Sequence, residues 1–314
     1  MNTAPSCARP ASSPNDRDRV SLAWTILGRL LNVPALLAHV DKVNKARVDG
    51  SSDPELDLYT QIFRNDFLHA GYFDPIPDPE AVSFASLKEA TEAYARLLVA
   101  RVTPGQRVLD LGCGTGGLLA MLKAAGAEPT GLTPNPGHAE HIREAQPGVP
   151  VIVGGFEAID LGKYRGAFDV VICSESFHNV PLEAGVNNVR EVLKPGGKWV
   201  IIDYYRTRIP AYNRSGHPLE KFRDAVAKGG FRMIEEIDVT DNTTPGLGFM
   251  HAWASRVALP TVDYAAGKWL SKHPVVDYLF GEDFRARRAR VRLDALDPVI
   301  FARDKRYLLQ QYVT

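Results

Sequence analysis

Cysteine is scarce. Three occur in 314 residues, Cys7, Cys113 and Cys173, too few and too scattered for a disulfide framework. No cysteine–histidine cluster has metal-ligand spacing, so no metal site is expected. Neither sign of charge is in excess, with 37 Lys and Arg against 37 Asp and Glu. That balance leaves no global field to attract nucleic acid or an anionic membrane, and a nucleic-acid substrate is not expected. Long apolar runs are also missing. The most apolar segment, 20–40, is broken by Arg29, Asn32 and Pro34, so no transmembrane span is expected. Residues 1–19, rich in Ala, Ser, Pro and Asn and carrying Asp16 and Asp18, read as a disordered tail and not as a cleaved signal. A cytoplasmic location is the corresponding expectation. No internal repeat emerges.

What is present suffices for a large core. With 45% apolar and 24% charged residues, the composition is that of a globular chain of one large domain or two modest ones. The chain is organised around 108–119, Val-Leu-Asp-Leu-Gly-Cys-Gly-Thr-Gly-Gly-Leu-Leu. An apolar run carrying Asp110 breaks into glycines at Gly112, Gly114, Gly116 and Gly117, then resumes as an apolar helix. This reads as a buried strand, a tight turn and a helix whose first free N–H groups face a ligand. Gly112, Gly114 and Gly117 also satisfy the dinucleotide pattern G-x-G-x-x-G. Against it, an acid stands two residues before the first glycine. The acid expected some twenty residues later for a ribose hydroxyl is missing as well, since that region reads Gly131-Leu132-Thr133.

Along the chain, Val20, Trp24, Leu27 and Leu31, then Leu36, Val40 and Val43, recur at helical spacing. They form part of an N-terminal helical cap, 20–102. Its apolar face either packs on the main domain or a second subunit, which would make a homodimer, or walls a substrate pocket. A loop with His69, Gly71, Tyr72 and Phe73 precedes a helix from Ser83 to about Arg101, striped by Leu87, Ala90, Tyr94, Leu97 and Leu98. From Thr103 strand and helix alternate, the pattern of a parallel sheet covered on both faces. Strands are expected at 107–111, 129–132, 149–153, 168–174, 199–203 and 231–239. The stretch 241–304 reads as a helical lid inserted before a last strand, 307–313, expected at the edge of the sheet. The lid's Arg285, Arg287, Arg288, Arg290 and Arg292 are either a solvated helix face or a dock for an anionic group.

Asp110 followed by alternating glycines resembles the first motif of class I S-adenosylmethionine-dependent methyltransferases. The Lys-Pro-Gly-Gly turn at 194–197 resembles the same superfamily's turn before the fifth strand, and further segments resemble the branch containing tocopherol, sterol, prenyl-diphosphate and alkaloid methyltransferases: 68–75 with its His-Ala-Gly-Tyr, 131–138, 173–181 and 238–245. The resemblance implies a doubly wound, seven-stranded Rossmann-like α/β fold over 103–314, with S-adenosyl-L-methionine as cofactor and a hydrophobic or amphipathic small molecule as acceptor. It further implies that Asp110, Gly112, Cys113, Gly114, Thr115 and Gly116 hold the methionyl end, with Ser174 beside it. His69, Gly71 and Tyr72 cover it, Thr133 and His138 lie near the ribose, and Phe156 and Glu157 near the adenine. The acid usual at Gly155 is absent, so an adenine contact falls to Glu157 or to backbone.

Methyl transfer from a sulfonium is an in-line displacement, and a base is required only when the acceptor must lose a proton. Residues just past the fourth strand face the crevice at the carboxyl ends of the strands, which makes His178 and Glu175 the two candidates for that base. Two other outcomes stay open: cyclisation or cleavage of the donor to methylthioadenosine, and a catalytically silent cofactor-binding protein. Whether carbon, nitrogen or oxygen accepts the methyl is not legible.

Overall fold

The computed structural model describes residues 32–35, 37–39, 41, 65–78, 81–209 and 214–314. The expected tail, and with it the stripe from Val20 to Leu31 and the residues Leu36, Val40 and Val43, lies outside the described residues, as does the proposed dimer face. No helix of the described residues is long and apolar enough to cross a membrane.

The alternation seen in the sequence becomes α1 (Phe84–Val99), β1 (Arg107–Leu111), α2 (Gly117–Ala124), β2 (Glu128–Thr133), α3 (Pro136–Ala145), β3 (Val151–Val153), α4 (Leu161–Tyr164), β4 (Phe168–Ser174), α5 (Leu182–Val192), β5 (Leu193–Arg206), α6 (Leu219–Lys228) and β6 (Arg232–Asp238). Helices α7 (Thr240–Trp253), α8 (Leu259–Lys272), α9 (Glu282–Ala289) and α10 (Pro298–Asp304) precede β7 (Lys305–Val313). The chain divides into two compact units. One contains the sheet, α1 to α7 and α10; the other contains Leu259–Val291 together with the described part of 1–48.

The sheet has seven strands in the order β3-β2-β1-β4-β5-β7-β6. Strands β1 to β5 pair in parallel, and β7 runs antiparallel to both β5 and β6. The expectation that the last strand forms an edge is therefore corrected: β7 is interior, and β6 is the edge. The reason lies in side-chain burial. Tyr307 to Tyr312 are buried on both faces, whereas Met233, Ile234 and Ile237 of β6 remain exposed.

Period-two alternation assigns the core. Leu109, Val171, Cys173, Trp199 and Ile201 belong to one apolar cluster, with Phe177 and Phe222. Val108, Val170, Ile172, Val200 and Ile202 belong to the other, with Tyr94 and Leu98 of α1. Helix α1 starts with a capping box, Ser83 Oγ accepting from Ser86 N and Ser86 Oγ from Ser83 N. The Lys-Pro-Gly-Gly segment loops out between the register pairs Phe168–Leu193 and Val170–Lys198 before β5 re-enters the sheet.

In the smaller unit three arginines of the expected lid, Arg285, Arg287 and Arg288, are engaged by nearby acids. Arg288 forks onto Asp263 at 2.8 and 2.9 Å, and Arg285 meets Asp277 at 2.9 Å. Arg292, which belongs with the sheet unit, meets Asp294 at 2.7 Å. These pairs favour the ion-paired helix face over an anion dock.

Phe222 lies fully buried among Tyr205, Trp199 and Phe177, with ring centroids 4.6, 5.8 and 6.0 Å away. Phe222→Ala is expected to destabilise the sheet unit by about 3–5 kcal/mol. Urea unfolding with an unchanged m-value measures this, and a loss under 1 kcal/mol (on the order of a surface change) contradicts it.

Candidate active site

A cavity of about 650 Å³ opens at the carboxyl ends of the parallel strands. The order reverses between β1 and β4, and a crevice at that switch point is where ligands bind in open α/β sheets. Its walls come from the turn after β1, from 132–135, 155–157 and 174–180, from Tyr204, from α1 through Ala95 and Leu98, and from a strap, 66–69, laid across it.

The turn after β1 forms because Gly112 takes a φ of +78°, and any Cβ there would stand 2.4 Å from that of Ser176. Ser176 Oγ in turn donates to the Leu111 carbonyl at 2.5 Å, joining the ends of β1 and β4. Asp110 is buried, and neither carboxylate oxygen has a hydrogen-bond partner in the protein. Burial pushes its pKa up to about 7. An acid held in that state at a cavity wall is a receptor for a cationic group. Beside it, burial raises the Cys113 thiol well above its ordinary range, so this cysteine is an apolar wall and not a nucleophile.

The strap is fixed from several sides. Thr115 Oγ1 donates to Asp66 O at 2.7 Å, Ala70 N donates to Glu175 Oε1 at 3.4 Å, and Tyr72 N donates to Ala90 O at 2.8 Å. His69 stacks on Tyr94 with centroids 3.9 Å apart. Burial lowers its pKa to about 3, so this ring is neutral.

On the far wall Asn135 caps α3 by accepting from Gly137 N and His138 N at 2.9 and 3.4 Å. That brings Thr133 and His138 to the cavity. Glu157 folds back over Gly155, its Oε1 2.3 Å from where a Cβ on that glycine would be. A carboxylate thus stands over position 155, beside the buried ring of Phe156.

Past β4, Ser174, Glu175 and His178 all line the cavity. Glu175 has a left-handed φ of 49°, strain that sites of chemistry retain. Burial pushes its pKa up to about 7, against the opposing hydrogen bond from Tyr307. His178 is held by Asp203, a buried acid at the carboxyl-terminal part of β5. Nδ1 lies 2.8 Å from Oδ1, and the His178 amide donates to Oδ2 at 3.0 Å. Burial works against a charged imidazole, but the hydrogen bond and charge of Asp203 and the charge of Glu175 prevail and raise its pKa.

Thus His69, Asp110, Gly112, Cys113, Gly114, Thr115, Thr133, His138, Phe156, Glu157, Ser174, Glu175 and His178 converge on one cavity. Gly71, Tyr72 and Gly116 do not line it. Gly71 and Tyr72 lie against Ala90 of α1. Gly116 caps α2 with φ 91°, and Gln146 Nε2 donates to its carbonyl at 2.7 Å. Sequence reasoning passed over Asp203, whose signal was an acid ending the apolar run Val200-Ile201-Ile202. It read Tyr94 only as part of a helix stripe and gave no role of their own to Asn135, Ser176 and Asn179, which lie inside the segments 131–138 and 173–181.

A methyltransferase-domain model matches residues 108–197. The chain is 30% identical over 211 residues to the O-methyltransferase rstn1 of Aspergillus nomiae, spanning 60% of this chain and 91% of that protein. It is 28% identical over 222 residues to an O-methyltransferase of Pyrenophora dematioidea, spanning 63% and 80%. The chain belongs to the methyltransferase family. Its methyl donor is S-adenosylmethionine, and its acceptors are small molecules. The methyltransferase shares its fold with a geranyl diphosphate methyltransferase solved with GPP and sinefungin, at a TM-score of 0.60 and 18% identity, over 85% of this chain and 96% of that one. The unpartnered Asp110 carboxylate and the glycine turn fit the cationic, amino-acid half of that donor.

The unfolded-state Asp110 ionises near 3.8 and the folded one near 7, so the folded donor-free methyltransferase binds the extra proton between those values. Its stability therefore falls as pH rises from 4 towards 7 on account of this group. Asp110→Asn removes that dependence, and the donor-free variant is expected to melt above wild type at pH 8. A lower melting temperature by calorimetry counts against an uncompensated carboxylate.

Proposed function

We propose that this methyltransferase places a methyl group on a hydroxyl oxygen of a hydrophobic or amphipathic small molecule, with His178 as the general base. The observation that carries this is the 2.8 Å contact of His178 Nδ1 with Asp203 on an imidazole facing the cavity. Bound S-adenosylmethionine supplies an electrophilic methyl on a sulfonium. The protein has to align the acceptor with it and remove a proton.

Asp110 receives the ammonium of the donor, and Gly112 to Thr115 with Ser174 enclose its amino-acid half. His69, neutral and stacked on Tyr94, covers that half without adding a positive charge. Thr133 and His138 stand at the ribose, and Phe156 with Glu157 at the adenine. Gly71, Tyr72 and Gly116 act indirectly, by fixing the strap and the start of α2. On the acceptor side the Asp203 carboxylate holds the proton on Nδ1, and Nε2 accepts from Asn179 Nδ2 at 3.0 Å, an amide that an acceptor hydroxyl has to displace before Nε2 takes its proton. A base with a fixed tautomer suits a hydroxyl that loses its proton during transfer. That both of the relatives named above are O-methyltransferases supports an oxygen acceptor. Glu175 is the second proton acceptor, engaged by Ala70 and Tyr307. Cyclisation or cleavage of the donor and silent binding are not favoured, since those relatives are methyltransferases.

With methyl-labelled donor and a panel of phenols, alcohols and alkenes, mass spectrometry is expected to find the label on oxygen; label on carbon overturns the acceptor assignment. His178→Gln is expected to lower kcat by about 10²–10⁴-fold with the donor Kd nearly unchanged. At saturating donor, wild-type kcat declines as pH falls through a His178 pKa above the usual 6.5, and this limb is absent from the variant. Asp110→Asn weakens donor binding by at least about tenfold in calorimetry; unchanged affinity removes Asp110 from the donor site.

A further inference from the structure

Lys305, at the start of β7, is a buried ammonium that feels the charges of Asp203 and Asp304 without a direct ion pair. It is 3% exposed, and among the described residues no carboxylate lies within ion-pair distance of it. Its Nζ donates to Ser215 Oγ at 3.0 Å and sits over the rings of Tyr204 at 4.6 Å and Phe301 at 5.6 Å. The Tyr204 ring also packs on His178, with centroids 4.5 Å apart, and Tyr204 Oη donates to the same Ser215 Oγ at 3.3 Å. The chain of contact thus runs from Lys305 through Tyr204 to the imidazole that faces the acceptor.

We propose that Lys305 is a positioning residue for methyl transfer, whose ammonium holds the Tyr204 ring against His178 and offsets part of the pull of the neighbouring acids toward imidazolium, which favours the form that takes the acceptor's proton. This rests on the reading of His178 as the base.

The physical case is one of charge balance. His178 faces Asp203 and Tyr204 from β5, Glu175 from the end of β4, Asn179 beside it, His217 from the segment before α6, and Lys305 from β7. Asp203 and Glu175 both favour imidazolium, a form that cannot act as a base. Lys305 opposes them. Burial, with the nearby Arg206 and against the charges of Asp203 and Asp304, brings the pKa of Lys305 down to about 8. A lysine with only a packing role could be replaced by an apolar side chain on the same two rings, without the desolvation of a charge.

The test follows the His178 ring by NMR in the full-length protein, its signal assigned by its loss in His178→Gln. In Lys305→Met the His178 midpoint is expected to rise by about one pH unit, and Lys305→Arg returns it to near the wild-type value. Ser215→Ala, on an exposed residue, removes one hydrogen bond to the ammonium and is expected to move the midpoint by a smaller amount. An unmoved midpoint in folded Lys305→Met overturns the proposal. If Lys305→Met does not fold, an unmoved midpoint in Ser215→Ala does so. Turnover of His178→Gln with labelled donor is a separate readout: wild-type turnover there sinks the base, whatever Lys305 does to the midpoint.

Discussion

A carboxylate without a partner stands at the end of the first strand, and the surrounding structure keeps it dry. Asp110 is on β1, paired on both sides by β2 and β4, so its backbone cannot retreat. The glycine turn that follows leaves it no side-chain donor within reach. Such a group is unfavourable in the empty protein and becomes favourable when a cation arrives. The strap, its anchors on Thr115, Glu175 and Ala90, and the stacked pair His69–Tyr94 all serve to exclude water from that acid. Exclusion of water is also what strengthens every charge interaction inside a reaction cavity.

The side of the cavity at His178 is built on the opposite logic. There the charges are compensated: Asp203 accepts from the ring and amide of His178 and from Tyr204 N at 2.8 Å, and Lys305 offsets the two acids through the Tyr204 ring. One wall of the cavity therefore waits for an external charge, while the other holds its own in balance. A proton acceptor is useful only when its charge can change without reorganising its neighbours, and this network of short contacts provides that.

Much of this was legible in the chain. The strand–turn–helix at 107–124 and the fourth strand at 168–174 match the observed elements because their patterns are local: an apolar run, glycines, then an apolar helix. Thirteen of the sixteen residues assigned to the site line one cavity, since motifs at strand ends are brought together by any parallel sheet. Gly71, Tyr72 and Gly116 stand back from it, because a motif marks a segment and not which of its atoms face the ligand. Asp203 was hidden for the converse reason, having meaning only beside His178, 25 residues earlier. Lys305 lies 127 positions beyond that histidine in number, on a strand read as an edge.

From the sequence alone came the parallel α/β architecture, the glycine turn with its acid, the donor that the turn resembles a receptor for, and the lack of any metal or disulfide framework to expect. The architecture and the turn depend on composition and on spacings of a few residues, which backbone geometry translates directly; the donor follows from the family that the turn resembles. Tertiary structure alone decided that β7 enters between β5 and β6, and that an aspartate and a tyrosine of β5 meet one histidine, with a lysine of β7 over that tyrosine's ring. Each of those depends on pairings across long stretches of chain, where burial on both faces and the balance of buried charges, not local pattern, selects the neighbour.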